Sequence, residues 1–366
     1  MKRALVIGGT GFIGSHIVRE LMDRGVAVRV SRRARSNRLL LRKLSVEFAD
    51  ADLDDVESLK RAADGCDVIF MAAGHYPRYS LDARASVATG VRGIRNACEA
   101  ALAADVERFV YTSSVGSLAT VRGRPADESD IAPSMAEDSV YRAVKWIMER
   151  EVESAAARGL RAVTLLPGGC LGPGDLRVGT GAFLVGVVRG ELPWWVEGSI
   201  NLVDVADVAR AHIAGASSAP GSRFCVAGRH VRVSWLLERA VERYGGRVPT
   251  NCLPADEAIR RADADERDAA PLNRRAPIPR EMVDLVTTGQ AVSNAKAETE
   301  LGFVARPIDE TLDRAHAWFA RLGLLPRQAR RTHVSSSARC ASSRDRSHRQ
   351  NEPSGSSHDP RRGPAA

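Results

Sequence analysis

Val6-Ile7-Gly8-Gly9-Thr10-Gly11-Phe12-Ile13-Gly14 closes one short apolar run and opens another whose apolar residues recur at helical spacing as far as Arg24. A strand, a tight glycine turn and a helix are therefore expected in that order. The turn needs Gly8. Gly11 leaves room for a pyrophosphate to approach the backbone, and Gly14 lets the helix pack closely on the strand. A helix N-terminus gathers unpaired N–H groups and faces negative charge well. Gly8, Thr10, Gly11, Phe12, Ile13 and Gly14 are accordingly the first candidate dinucleotide contacts.

Outward from this turn, β-rich runs alternate with helical periods, the pattern of βαβ units and a parallel sheet. Strands are expected near Arg3–Gly8, Val26–Ser31, Val46–Ala49, Asp67–Met71, Arg108–Thr112 and Arg161–Leu166. Helices are expected at Phe12–Arg24, Asp54–Ala63, Ser86–Ala104 and Ser139–Ala157, and Gly25, Gly65, Gly159 and Gly302 sit where helix C-caps belong. Beyond Pro167 the pattern changes to a glycine-rich stretch, an apolar strand Ile200–Val203, a helix Val205–Gly215 and shorter mixed elements. The expected architecture is an α/β, Rossmann-type doubly wound parallel sheet over residues 1–167, with 200–215 returning to it. Residues 168–325 form a smaller C-terminal α/β substrate part.

The end of the second strand, Val28-Arg29-Val30-Ser31-Arg32-Arg33, selects between the two nicotinamide dinucleotides. An acid there would bind the adenosine ribose hydroxyls of NAD(H); a guanidinium suits the 2′-phosphate of NADP(H). No acid is present, so Arg32, helped by Ser31, Arg33 or Arg35, points to NADP(H), with NAD(H) left open. After the third strand, Asp52 and Leu53 are candidates for the adenine, although Asp52 equally suits a helix cap.

Tyr141-Arg142-Ala143-Val144-Lys145 places a phenol and an ammonium one turn apart on one helix face, where the cation can lower the phenol's pKa toward working pH. With five tyrosines and five lysines in 366 residues, such a pair arises by accident with a probability of roughly 0.07. Arginine outnumbers lysine 48 to 5, so this lysine is not compositional filler. Upstream, Arg108-Phe109-Val110-Tyr111-Thr112-Ser113-Ser114 is a strand ending in hydroxyls, at the end of the sheet where ligands bind. Ser114 is the expected hydrogen-bond partner of a substrate oxygen, with Ser113 as the alternative.

Composition excludes other classes. A hydrophobic fraction of 44% and a charged fraction of 27% are those of an ordinary globular protein, and no apolar run reaches the ~18 residues a membrane span needs. The apolar run at Met1–Gly8 stops too early for a secretory signal and reads as a strand, which places the chain in the cytoplasm. Cys66, Cys98, Cys170, Cys225, Cys252 and Cys340 form no Cys-x-x-Cys pair, and the histidines show no ligand spacing, so no metal is expected. Of the net charge of +8, six units belong to residues 326–366, a Ser- and Arg-rich tail expected to be disordered. A nucleic-acid partner is not expected.

Together these residues resemble the extended, or atypical, short-chain dehydrogenase/reductases, the NAD-dependent epimerase/dehydratase group, over about Arg3 to Leu325. Within that group the chain is most similar to dihydroflavonol-4-reductase-like reductases and hopanoid-associated sugar epimerases. Further matches are Met71-Ala72-Ala73-Gly74, Gly93-Ile94-Arg95-Asn96, Pro167-Gly168-Gly169-Cys170-Leu171-Gly172-Pro173 and Asn201-Leu202-Val203-Asp204-Val205. The resemblance implies that Ala72, Ala73 and Gly74 line the dinucleotide and that Pro167, Gly168, Gly169 and Cys170 line the nicotinamide. It also implies that Lys145 holds the nicotinamide ribose, and that Ser86–Ala104 and Ser139–Ala157 can pair two copies into a homodimer. One position departs: Gly90 stands where many members carry an asparagine behind the lysine.

The expected function is NADP(H)-dependent reduction of a carbonyl on a small, apolar substrate, or the reverse oxidation, with Tyr141 moving the proton. The segment Gly74–Ser80 and the stretch Gly179–Trp195 should border the substrate, with Trp194-Trp195 as an apolar wall. A nucleotide-sugar epimerase or dehydratase that retains its cofactor is the alternative, and a non-catalytic NADP-sensing regulator is a more distant one.

Overall fold

Ala4, Leu5, Val6 and Ile7 are all buried, which a strand achieves only when both faces of its sheet are covered. The computed structural model describes residues 1–77 and 79–326. The basic tail and its Cys340 lie outside the described residues. In chain order the first half runs β1 (Arg3–Ile7), α1 (Phe12–Asp23), β2 (Ala27–Arg32), β3 (Glu47–Asp50), α2 (Val56–Ala63), β4 (Val68–Met71), α3 (Ala83–Ala103), β5 (Arg108–Thr112), α4 (Val140–Ala157) and β6 (Ala162–Pro167). The second half runs β7 (Gly169–Leu171), α5 (Ala182–Arg189), β8 (Trp195–Val196), β9 (Ser199–Asp204), α6 (Val205–Gly215), β10 (Arg223–Val226), β11 (Arg229–Arg232), α7 (Val233–Tyr244), β12 (Cys252–Leu253), α8 (Ala255–Ala269), α9 (Arg280–Thr287), α10 (Ala295–Leu301) and α11 (Ile308–Arg321).

The large sheet has seven parallel strands in the order β10-β6-β5-β4-β1-β2-β3. Strand order reverses between β1 and β4, so a crevice opens above their carboxyl ends, where open α/β sheets bind ligands. On one face, Ile17, Val18 and Leu21 of α1 pack with Val208, Ala209 and Ile213 of α6. On the other, Leu59 of α2, Ile94 and Cys98 of α3, and Val144 and Met148 of α4 form the second core.

Helix ends follow local chemistry. Asp55, Asp82 and Ser139 cap α2, α3 and α4, their side chains accepting from the amides of Ser58, Ala85 and Arg142. The Asp82 cap starts α3 three residues before the sequence pattern indicates. Gly25, Gly65, Gly159 and Gly302 all have positive φ, as their C-cap positions require.

The described residues form one unit, not two separable bodies. A three-stranded sheet, β11-β9-β7, and the β12-β8 pair build the second half. Yet β10, from that half, supplies the seventh strand of the large sheet. Among the described residues no helix is long and apolar enough to cross a membrane, and no cluster of His, Cys, Asp and Glu could hold a metal.

Candidate active site

The three glycines have three different surroundings. Gly8 has φ +85° and approaches the segment after β4 so closely that a Cβ would lie 2.6 Å from the Ala73 nitrogen. At Gly14 a Cβ would lie 2.2 Å from the Gly8 carbonyl oxygen, so helix and turn touch there. Gly11 is less crowded: a Cβ would make a single tight contact, with the Gly8 oxygen at 3.2 Å. As the N-cap of α1 it offers no side-chain cap, and the first turn carries no acid. The donors of that helix end are thus left for an anion, and the cradle fits a dinucleotide pyrophosphate. Thr10, Phe12 and Ile13 complete the loop, and the His16 ring bonds the Pro173 carbonyl at 2.7 Å, tying α1 to the turn after β7.

At the end of β2, Arg32 Nε donates to Asp50 at 2.8 Å, and its guanidinium lies 5.4 Å from the centre of the Phe48 ring. Arg38 reaches the same ring at 5.7 Å, a second cation the sequence reading omitted. Arg33 and Arg35 are exposed and Ser31 is buried. Asp52 accepts from the Asp54 amide at 3.2 Å, while the α2 cap falls to Asp55. The Leu53 carbonyl accepts from Asn96 at 2.7 Å, fixing this loop to α3.

Along the opposite edge of the crevice, the Ala72 amide donates to the Ile7 carbonyl at 2.9 Å. A Cβ on Gly74 would lie 3.6 Å from Lys145 Nζ. Pro167 ends β6, and Gly168 approaches Asn201 and Ala227 too closely for any side chain, a Cβ there lying 2.5 Å from the Ala227 oxygen. Gly169 and Cys170 follow in β7. Burial pushes the Cys170 thiol up to about 12, so it is an inert packing group.

Tyr141, Lys145 and Ser114 converge. A Cβ on Gly116 would stand 3.4 Å from Ser114 Oγ and 3.5 Å from Tyr141 Cε1, and Lys145 Nζ lies 6.0 Å from the centre of the Tyr141 ring. Ser114 Oγ accepts from the Gly116 amide at 3.1 Å, which fixes the hydroxyl in place. Ser113 is engaged elsewhere. Its hydroxyl donates to Glu149 at 2.5 Å, and Glu149 also takes Ser117 and Arg223, so that network is structural.

Burial raises the Tyr141 phenol above its usual range, helped by the nearby Glu281 charge and partly offset by Ser114. Burial also lowers Lys145 to about 8, against opposing pulls from Glu281 and Glu149. Desolvation dominates at both groups and favours the neutral form of each. Gly90 faces Val144 and Met148, where a Cβ would lie 3.1 Å from Val144; it sets a close approach of α3 to α4.

Beside Ser114 lies a narrow cleft lined by Tyr76, Leu118, Arg142, Ile200, Met282 and Leu285, among others. The Tyr76 ring stands 5.4 Å from that of Tyr141. Trp194 and Trp195 do not form its wall. Trp194 is buried among Val196, Val283 and Val286, and Trp195 donates to the Pro249 carbonyl at 3.0 Å. The apolar wall comes instead from α9, read only as part of a mixed region. A larger surface cleft of about 490 Å³ lies between α7 and the start of α11, lined by Trp235 and the ion-paired Arg239, Glu242 and Asp309; it contains none of these reactive groups.

Sequence reasoning missed Glu281. Its burial pushes the carboxyl up to about 8, and its charge bears on both Tyr141 and Lys145. In sequence it is an acid in the first turn of a helix, where such acids are common for the helix dipole and need no further role.

The sequence profile of the NAD dependent epimerase/dehydratase family matches residues 4–227. A Synechocystis sp. protein that bears the name of a dihydroflavonol 4-reductase is 31% identical over 330 residues, covering 88% of this chain and 96% of the relative. Among solved structures, a nucleoside-diphosphate-sugar epimerase from Pseudomonas aeruginosa is 26% identical with a TM-score of 0.73, covering 88% of this chain and 99% of the other. The Thermus thermophilus UDP-glucose 4-epimerase in complex with NAD is 25% identical with a TM-score of 0.69, covering 87% and 99%. With its seven-stranded parallel sheet, glycine cradle and Tyr141–Lys145–Ser114 group, the chain belongs to the NAD dependent epimerase/dehydratase family of extended short-chain dehydrogenase/reductases.

Proposed function

We propose that this NAD(P)-dependent oxidoreductase works as an NADPH-dependent reductase of a carbonyl on a small, largely apolar substrate, or as the corresponding alcohol dehydrogenase. The observation that carries the reading is the clustering of Tyr141 and Lys145 with Ser114, which lines a cleft whose other walls include Leu118, Ile200, Met282 and Leu285.

NADPH, when bound, supplies the hydride. Gly8, Thr10, Gly11, Phe12, Ile13 and Gly14 cradle its pyrophosphate, with Asp52 and Leu53 toward the adenine. Ala72–Gly74 and Pro167–Cys170 line the remainder, and Lys145 holds the nicotinamide ribose. Tyr141, kept protonated by burial, donates to the carbonyl oxygen, which Ser114 orients by hydrogen bonding. The preference for NADPH rests on Arg32 and Arg38 flanking Phe48. The Asp50 partner of Arg32 is 77% exposed, so a phosphate can replace it at small cost. A reducing compartment, the cytoplasm, suits the five free thiols among the described residues.

Likeness to sugar epimerases keeps a second reading, in which the hydride returns to the same molecule. Both are tested together. NADPH oxidation over a panel of aryl and alkyl ketones and aldehydes, by protein that purifies free of nucleotide, supports the reductase. Silence across the panel from protein that retains NAD(P) contradicts it and favours the epimerase.

A further inference from the structure

We propose that Glu281, held against the cleft-lining Tyr76, is a specificity residue that anchors a second hydrogen-bonding group of the substrate beside the carbonyl that Tyr141 serves. The inference rests on the reductase reading for the identity of that carbonyl, but its own evidence is separate.

Glu281 is 4% exposed, and its Oε1 is shut off from solvent with no hydrogen-bond partner. A carboxyl oxygen left so is rare in a native protein and costs roughly 1–3 kcal/mol. The cost is not required by the helix, since a first-turn acid complements the dipole equally well from solvent. Nor is the position loose. The neighbouring Arg280 binds Asp263 at 2.9 Å, Asp284 at 2.7 Å and the Asp138 carbonyl at 3.0 Å. Glu266 accepts from both the Arg280 amide at 2.9 Å and the Ser80 amide at 2.5 Å, joining the start of α9 to the loop that carries Tyr76.

That staple gives the site its geometry. Tyr76 interacts through its hydroxyl with Glu281 and lays its ring against Tyr141, so the carboxyl, with one oxygen left unpaired, and the reactive phenol both meet one tyrosine side chain. Met282 and Leu285, on the same helix as Glu281, line the cleft and would hold a carbon skeleton. A substrate reaching from the phenol to the carboxyl needs an apolar body and two polar atoms, one the carbonyl oxygen and the other a hydroxyl or comparable group able to bond a carboxyl.

The test compares matched aryl ketones that differ by one hydroxyl: 2-hydroxyacetophenone against acetophenone, and 3-hydroxypropiophenone against propiophenone. Equilibrium binding is measured calorimetrically on the full chain with saturating NADP⁺, so turnover is not needed. In at least one pair the hydroxylated member should bind the wild type about tenfold more tightly. Glu281→Leu should level the pair to within about twofold with NADP⁺ affinity unchanged, and the near-isosteric Glu281→Gln should keep most of the preference. Equal affinities in both pairs, binding of neither pair, or a preference that survives Glu281→Leu would overturn the inference. A preference that behaves as expected in protein that never oxidises NADPH would overturn the reductase reading alone.

Discussion

The carbonyl oxygen of Gly8 lies 2.2 Å from the point where a Cβ on Gly14 would stand, whereas the corresponding point at Gly11 meets that oxygen only at 3.2 Å. The two substitutions should therefore separate folding from binding. Gly14→Ala forces backbone against backbone and should destabilise the protein by about 1–3 kcal/mol. Gly11→Ala, with one tight contact in place of a clash, should lower the melting temperature less than Gly14→Ala yet weaken NADPH binding about tenfold or more, because its methyl enters the space of the pyrophosphate. Thermal melts with NADPH fluorescence titrations check both, and wild-type NADPH affinity in Gly11→Ala would remove the cradle from its role.

Arg32 meets Asp50 in a pair whose side chains are 31% and 77% exposed, so the pair itself contributes less than about 1 kcal/mol. Arg32→Ser should fold like the wild type, raise the KM for NADPH about tenfold and leave that for NADH little changed. Arg38→Ser should act in the same direction with a smaller effect. Equal changes in both KM values would argue against a phosphate contact.

Lys145 cannot be replaced by the other cation. Its Nζ stands 3.6 Å from the β-position of Gly74, a space that takes a compact ammonium but not a planar guanidinium. Lys145→Arg should lower kcat about a hundredfold, close to the loss in Lys145→Met, although charge is retained in only one of them. Recovery of kcat in the arginine variant would show that charge alone suffices.

Glu281 ties stability to pH. With Tyr76, Tyr141, Lys145, Glu266 and Asp284 around it, its carboxyl titrates at about 8 in the folded protein. An unfolded chain releases that proton at about 4.3. Between these values the native state binds more protons than the unfolded one, so its stability falls as pH rises from about 5 to 8. The lowered Lys145, at about 8, acts only above that window, where the unfolded chain holds the proton and stability rises with pH. The melting temperature of Glu281→Gln relative to wild type should therefore climb from pH 5 to 8. A difference constant with pH would show that the carboxyl ionises normally.

The parts of this fold legible in sequence are those where local and tertiary demands agree. Strands β1, β4, β5 and β6 are buried on both faces and read as continuous apolar runs. The Tyr141–Lys145 pair shares one helix face, and Ser114 follows a strand that could only end at the cleft. The α8 and α9 segments carry a different kind of information. Their acids Glu266, Glu281 and Asp284 look like solvated helix surface yet are buried, with Glu266 bound to the Ser80 amide and Arg280 to the Asp138 carbonyl, contacts distant in sequence. Trp194 and Trp195 misled for the same reason, because apolar bulk shows that a residue is packed without showing against what. The strand β10 joins the large sheet beside β6 through a pairing across some sixty residues that no local pattern records.

The central claim is that a buried phenol, set beside Ser114 and Lys145, hands the proton to a carbonyl oxygen. The direct measurement is the single-turnover rate of NADPH oxidation with a reducible ketone, for wild type and Tyr141→Phe, alongside NADPH affinity for each. The account predicts a rate lowered about 10²–10⁴-fold with affinity unchanged. A Tyr141→Phe protein that turns over at near the wild-type rate would contradict it.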